Sequence, residues 1–162
     1  MDGIVDYTIP VLHPFAVHFP VALLPACAVA AIVWLVKCDR RWLLAGWYLA
    51  VAGALGAVVA YATGDVMKEQ SEGVPVVELV VGMHERFGVA TLVLSIIAAV
   101  MWTAVGLTRQ PPDEHGGRSH AVSSEVRLPV RVLVVLVSLA AAAFALRAAH
   151  LGGLMVWGVP AN

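Results

Sequence analysis

The chain has 162 residues, of which 60% are hydrophobic and only 13% are charged, with a formal net charge of −1. Soluble domains carry about a quarter charged residues, so this composition excludes an ordinary water-soluble fold and favours a chain dissolved in the lipid bilayer. The charge balance offers no basic surface, which excludes nucleic acid as a partner.

Four apolar segments follow one another along the chain, and each is long enough to span a membrane as a helix, which takes about 20 apolar residues. They cover residues 14–36, 42–64, 82–108 and 128–151. Arg131 and Arg147 lie near the ends of the last segment, where long side chains can reach the interface. The segments are rich in alanine and leucine and lack strict alternation, which favours helices over strands. The sequence therefore predicts an all-α fold, a four-helix transmembrane bundle that forms a single domain.

The connections between these segments differ in charge, and this predicts the orientation of the bundle. The basic residues of the first and third connections are Lys37, Arg40, Arg41, Arg109, Arg118 and Arg127. The acidic residues of the second connection are Asp65, Glu69, Glu72 and Glu78. Basic residues accumulate on the cytoplasmic side of membrane proteins. We therefore expect a protein of the bacterial inner membrane, with the first and third connections in the cytoplasm and both termini on the periplasmic side.

Two connections have further features. Residues 109–126 are rich in proline, glycine, histidine and serine, which predicts a flexible cytoplasmic loop. We interpret its histidines, His115 and His120, as solvated loop residues rather than metal ligands. The apolar residues 74–81 of the second connection either form a short interfacial helix or extend the third transmembrane helix. The chain has no CxxC or CxxCH motif, so neither a thiol redox site nor a covalent c-type haem is indicated.

Four other histidines are predicted to lie at one level, near the periplasmic face. His13 and His18 stand at the start of the first segment, His84 at the start of the third and His150 at the end of the fourth. Imidazole is a neutral ligand for iron, copper and zinc, and histidines on facing helices of a bundle can bind a haem iron from both sides. We expect the ligands to come from His18, His84 and His150. His13 is a further candidate, although a cap or surface role is favoured for it.

Small and basic residues accompany these histidines. Gly88 follows His84 by one turn, which leaves room for a flat macrocycle beside the helix. Arg147 precedes His150 by three residues and so lies close to the same helix face, while Arg86 is close to His84. Arginine pairs with carboxylates, so both arginines are candidates for binding haem propionates; the alternative is that they extend to lipid headgroups.

The second segment has no histidine, but it has small residues at every fourth position. They are Ala52, Gly56, Ala60 and Gly64. This pattern is typical of close helix contact in membranes. The contact could lie within the bundle or in a homodimer.

Several of these residues resemble one family. Residues 13–20, HPFAVHFP, look like the HPxxVHFP signature of bacterial membrane proteins catalogued as domain of unknown function 2231. Three later features agree with it, namely Thr63-Gly64-Asp65, His84 at the start of the third segment, and HLGGLMVWG at residues 150–158. The resemblance implies a four-helix inner-membrane protein without an established function. Some relatives look like redox partners, which favours a cytochrome, and the signature itself supports a functional His13.

The leading expectation is a small b-type cytochrome with one non-covalent haem b near the periplasmic face. It would transfer electrons to or from a quinone or a partner redox protein, since two histidine ligands leave no open position for substrate chemistry. Whether it has enzyme activity of its own stays open.

Two alternatives remain. A haem needs two nitrogen ligands about 4 Å apart across a plane, whereas a copper or zinc site draws three or four ligands together. The protein could instead be a cofactor-free accessory subunit of a membrane complex, whose histidines make hydrogen bonds between helices.

Overall fold

The computed structural model describes residues 12–70, 73–107 and 126–158. Within these ranges the chain forms four long helices and no strand, which confirms the predicted all-α bundle. The helices are α1, His18–Lys37; α2, Arg40–Gln70; α3, Pro75–Leu107; and α4, Leu128–Trp157. A helical turn over residues 12–16 precedes α1, so the first candidate span runs Leu12–Lys37. All four helices are long and apolar enough to cross a membrane. His115, His120 and residues 109–125 lie outside the described residues.

Two helices are longer than the apolar segments that predict them. α2 continues to Gln70 and α3 begins at Pro75, so residues 75–81 belong to the third helix rather than forming a separate one. With 31 and 33 residues, these helices are about 46 Å and about 50 Å long. The hydrocarbon core is only about 30 Å thick. The helical backbone satisfies its own hydrogen bonds, so it can continue through the headgroup region, where the side chains become polar.

The helices pack as a ring in which each contacts the next, and α4 returns to α1. Helices α1 and α3 therefore lie diagonally opposite each other and run in the same direction. The connection between α1 and α2 is short, since only Cys38 and Asp39 separate the two helices. Cys38 ends α1 in a left-handed conformation with φ of 53°. The Asp39 carboxylate accepts a hydrogen bond of 2.8 Å from the Arg41 backbone N–H, which caps the start of α2.

The outer surface of the bundle is largely aliphatic, with exposed side chains such as Leu55, Val100 and Leu136. The interior is built mainly from alanine, together with a few large side chains. Small residues let helix backbones approach closely in lipid. This arrangement, with large apolar residues outside and small ones inside, is what a transmembrane bundle requires.

The small residues of α2 serve this internal packing. A Cβ atom on Gly56 would lie 2.7 Å from Cβ of Phe19, and one on Gly53 would lie 2.8 Å from Cδ2 of Leu24. Both neighbours belong to α1, so these glycines face the inside of the bundle. Of the predicted small residues, Gly56 therefore packs within the bundle, whereas Ala52 is exposed.

One end of the bundle is closed by tryptophan. Trp34 of α1 and Trp102 of α3 are fully buried, and their ring centroids lie 5.3 Å apart. The Trp102 indole N–H donates to the Ser138 hydroxyl of α4 over 3.3 Å. Gly46 of α2 lies directly against the Trp102 ring, where a Cβ atom would collide with it. We call this region the tryptophan end; all four helices contribute to it.

A histidine pair at the other end of the bundle

His13 lies in the helical turn before α1 and reaches across to α2. Its Nδ1 is 2.9 Å from the backbone oxygen of Ala60 and 3.3 Å from the hydroxyl oxygen of Thr63. A carbonyl oxygen can only accept, so Nδ1 carries the proton and donates it. The ring is half-buried against Gly64, where a Cβ atom would lie only 2.8 Å from Cε1 of His13. The glycine therefore makes the seat in which the imidazole is held.

His84 makes the equivalent contact between α3 and α4. Its Nδ1 donates to the backbone oxygen of Ala148 over 2.9 Å. The half-buried ring lies beside Gly152, where a Cβ atom would be 3.4 Å from Cε1 of His84. Each histidine thus ties its own helix to the next one in the ring, and each is left with Nε2 as an acceptor.

The two rings meet across the bundle. The centroids of His13 and His84 are 6.1 Å apart, and the ring planes are nearly perpendicular at 83°. Two imidazoles that bind one metal from opposite sides, with nitrogens at about 2.0 Å from it, place their centroids about 6 Å apart. The observed centroid separation is close to this value, and the perpendicular rings also make an edge-to-face contact. We call this region the histidine end.

The other two predicted ligands do not join this pair. His18 follows His13 by five positions, faces away and is exposed, with Nδ1 donating to the backbone oxygen of Pro14. His150 is exposed on α4. Of the three expected ligands, the structure brings only His84 into the pair, and its partner is His13, for which the sequence favoured a cap or surface role.

The two candidate arginines are exposed at the same end. The guanidinium carbon of Arg147 lies 5.9 Å from the centroid of the Phe87 ring, which places the cation over the ring face. Arg86 is exposed on α3. Beside it, the Glu85 carboxylate pairs with Lys68 of α2 at 2.7 Å. The rim of the histidine end is therefore charged, as expected for a membrane–water boundary.

The donor set distinguishes among metals. Among the residues that the structure describes, no three or more histidine, cysteine, aspartate or glutamate side chains come together to hold a metal ion. Structural zinc is usually bound by four such ligands, whereas haem iron needs only two axial ones beyond the macrocycle. The space beside Gly88 is open, since nothing lies within 4 Å of its Cβ position. The described residues thus bring together two histidines, the number of protein ligands that a haem iron takes.

Comparison with known proteins confirms the family resemblance. The model of a family described as predicted membrane protein (DUF2231) matches residues 9–160. The match includes both histidines of the pair and all four helices. No curated protein and no solved structure gives a significant match.

Proposed function

The chain belongs to the DUF2231 family of predicted membrane proteins, and we propose that it is a small membrane-bound cytochrome b in which His13 and His84 bind the haem. One observation carries the proposal. Two imidazoles from diagonally opposite helices meet with centroids 6.1 Å apart, each held through Nδ1 by a backbone oxygen.

The Nδ1 hydrogen bonds of His13 and His84 support the proposal that this pair binds a metal. Because Nδ1 of both rings donates to a carbonyl, each ring has only an acceptor at Nε2, and neither imidazole can donate to the other. A metal between the rings would accept both electron pairs. Histidines that bind metals generally donate their other N–H to a carbonyl or carboxylate, which fixes the ring and makes the ligand nitrogen more basic. Ala60 and Ala148 provide such carbonyls.

The rest of the site determines what the protein can do. A haem held by His13 and His84 would supply a one-electron carrier, and with two histidines bound to its iron it would leave no open position for a substrate. Arg86 and Arg147 are proposed to bind the propionates, since both are exposed at this end and guanidinium pairs well with carboxylate. The function proposed is therefore electron transfer, to or from a quinone or a partner redox protein.

The sidedness of the site follows from the basic connections. Lys37, Arg40 and Arg41 lie at the tryptophan end, which we propose to be cytoplasmic. The histidine end then faces the periplasm of a bacterium, as do both termini. Since the pair lies at this end alone, one chain would exchange electrons on the periplasmic side rather than carry them across the membrane.

The proposal is tested with the reduced-minus-oxidised absorbance spectrum of detergent-purified protein, with haem quantified as the pyridine haemochrome. We expect a b-type α band and close to one haem per chain. If protein expressed with ample haem supply has no Soret band, the cytochrome proposal is wrong.

A cofactor-free accessory subunit is the second candidate, because the same bonds are useful without a metal. His13 links α1 to α2 and His84 links α3 to α4, and hydrogen bonds between transmembrane helices stabilise bundles. In that case the protein would be colourless, and both histidine contacts would form without any metal or haem.

A further inference from the structure

The first helix has a second, outward-facing histidine that the haem site does not use. His18 is exposed, and it is accompanied by Phe15 and Phe19, which are 64% and 48% exposed. The two phenylalanine rings pack edge to face with centroids 5.6 Å apart. We call the surface formed by Phe15, His18 and Phe19 the aromatic patch.

The hydrogen bond of His18 determines which ligands the patch can bind. Its Nδ1 donates to the backbone oxygen of Pro14, so a neutral His18 ring has only an acceptor, Nε2, on its exposed side. A ligand that binds there has to bring a donor. A ligand with carbonyl oxygens alone cannot make this bond.

The depth of the patch in the membrane determines whether a ligand reaches it from the lipid or from the water. The span Leu12–Lys37 has 26 residues and is about 39 Å long, so it exceeds a hydrocarbon core of about 30 Å by roughly three residues at each end. His18 then lies about one turn below the membrane surface. Acyl chains contain no donor, and an unpaired acceptor among them is unfavourable. A lipid-soluble molecule with a hydroxyl donor would satisfy this acceptor.

A second copy of the chain does not supply this donor. Two copies that met symmetrically through the patch would bring the same residues face to face. Each would then present an acceptor nitrogen and phenylalanine rings to an identical surface, without a donor on either side.

We propose that the aromatic patch binds the headgroup of a quinol from the lipid phase, with a quinol hydroxyl donating to Nε2 of His18. The phenylalanine edges pack against the flat headgroup ring. A quinol has hydroxyl donors, whereas the oxidised quinone has only carbonyl acceptors, so the patch prefers the reduced form. The site lies near His13, so a bound quinol could donate electrons to the haem. That role rests on the proposed cytochrome function, whereas the binding of quinol to the patch does not.

The test is a titration of protein labelled with ¹⁵N at the histidine side chains, in lipid nanodiscs, with decylubiquinol under anaerobic conditions. We expect a saturable shift of the His18 Nε2 resonance, and about tenfold weaker binding of decylubiquinone, because one hydrogen bond is lost. The wild-type protein suffices for this comparison of redox states. In addition, F15A is expected to weaken quinol binding severalfold, whereas H150A, which removes the exposed histidine of α4, leaves it unchanged.

Three results would overturn the proposal. They are the absence of a saturable His18 shift, equal affinity for the two redox forms, and a His18 shift that depends on protein concentration without ligand, which would indicate a second copy on the patch. The haem spectrum is recorded on the same sample. A failed titration with an intact α band rejects the quinol site alone, and a saturable titration without any haem band rejects the cytochrome alone.

Discussion

The same two helices meet twice in this bundle, once at each end. At the tryptophan end, α1 and α3 contribute Trp34 and Trp102, which are wholly buried. At the histidine end, the helical turn before α1 contributes His13 and α3 contributes His84, and both are half-buried. The two pairs are separated by 18 to 21 positions along the helices, or about 27 to 32 Å, close to the thickness of the hydrocarbon core. The two ends thus lie near opposite membrane surfaces.

The two ends are held together by different interactions. The tryptophan pair fills volume, and its stabilising effect comes from the many close contacts of two large rings. The histidine pair fills less space and depends on two hydrogen bonds to backbone oxygens, with glycines beneath the rings. Large apolar packing stabilises a bundle without further chemistry, whereas the histidines leave acceptor nitrogens that a ligand can use. We therefore assign stability mainly to one end and function to the other.

Removal of a tryptophan is the change with the largest expected effect on stability. Trp102→Ala should lower the free energy of unfolding by about 3–5 kcal/mol, because it leaves a cavity in the buried tryptophan end. Denaturation in mixed micelles, followed by circular dichroism, measures this loss. Trp157→Ala is the control, since Trp157 is 88% exposed, and it should change little. Equal losses in the two variants would contradict the assignment of stability to the tryptophan end.

Substitution of Gly64 and Gly152, the glycines that lie against the two histidine rings, should separate the effect on haem binding from the effect on stability. Gly64→Ala puts a methyl group 2.8 Å from His13 Cε1, so the ring must move; we expect loss of most bound haem and about 1–3 kcal/mol of stability. Gly152→Ala, with its contact of 3.4 Å to His84, should have a smaller effect. Gly153→Ala has open space and is the control. Haem content and unfolding are measured on all three. An unchanged haem content in Gly64→Ala would show that haem binding does not depend on the close contact between Gly64 and the His13 ring.

The histidine hydrogen bonds alone should contribute less. In protein prepared without haem, His13→Ala and His84→Ala are each expected to cost about 1 kcal/mol, the usual net value of one hydrogen bond. The double variant tests the contact between the rings, because residues that touch show non-additive effects. A double-mutant cycle of unfolding free energies gives the coupling. Strict additivity would mean that the rings do not interact in the absence of haem.

The smallest effect is expected at the charged rim. Lys68 and Glu85 form an ion pair whose side chains are 45% and 46% exposed, and exposed pairs contribute about 0.2–1 kcal/mol. Lys68→Gln should therefore lower stability by no more than this, and the difference should shrink in high salt. Unfolding at two salt concentrations measures it. A larger loss of unfolding free energy that high salt does not reduce would contradict this expectation and would show that the ion pair contributes substantially to the stability of the bundle.

Composition and segment length were sufficient to predict the bundle, because lipid demands long apolar helices. They were not sufficient to predict the ends of α2 and α3. Hydropathy reports how deep a residue lies in the membrane, whereas a helix ends where its backbone hydrogen bonds end. The polar residues of α2 from Asp65 onward remain helical outside the hydrocarbon.

The sequence placed His13 and His84 at the same end of the bundle, but the contact between these two rings was not predicted. Depth follows from sequence position, whereas pairing depends on which side of α1 faces inward. A signal for this exists in the sequence. His13 lies on the helix side of Ala16, Pro20 and Leu24, which are all buried, whereas the large Phe15 and Phe19 flank His18 on the outside. In lipid, small residues mark the inner side of a helix, so the burial of Ala16 indicates that His13 faces the inside of the bundle and His18 does not.

The central claim is that His13 and His84, rather than His18 and His150, bind haem. The most direct test is the haem content of four single variants, His13→Ala, His18→Ala, His84→Ala and His150→Ala, each purified and quantified beside the wild type. We expect that changes at positions 13 and 84 abolish the b-type spectrum, while changes at positions 18 and 150 leave near-stoichiometric haem. Loss of haem in His18→Ala or His150→Ala, with haem retained in His13→Ala, would contradict it.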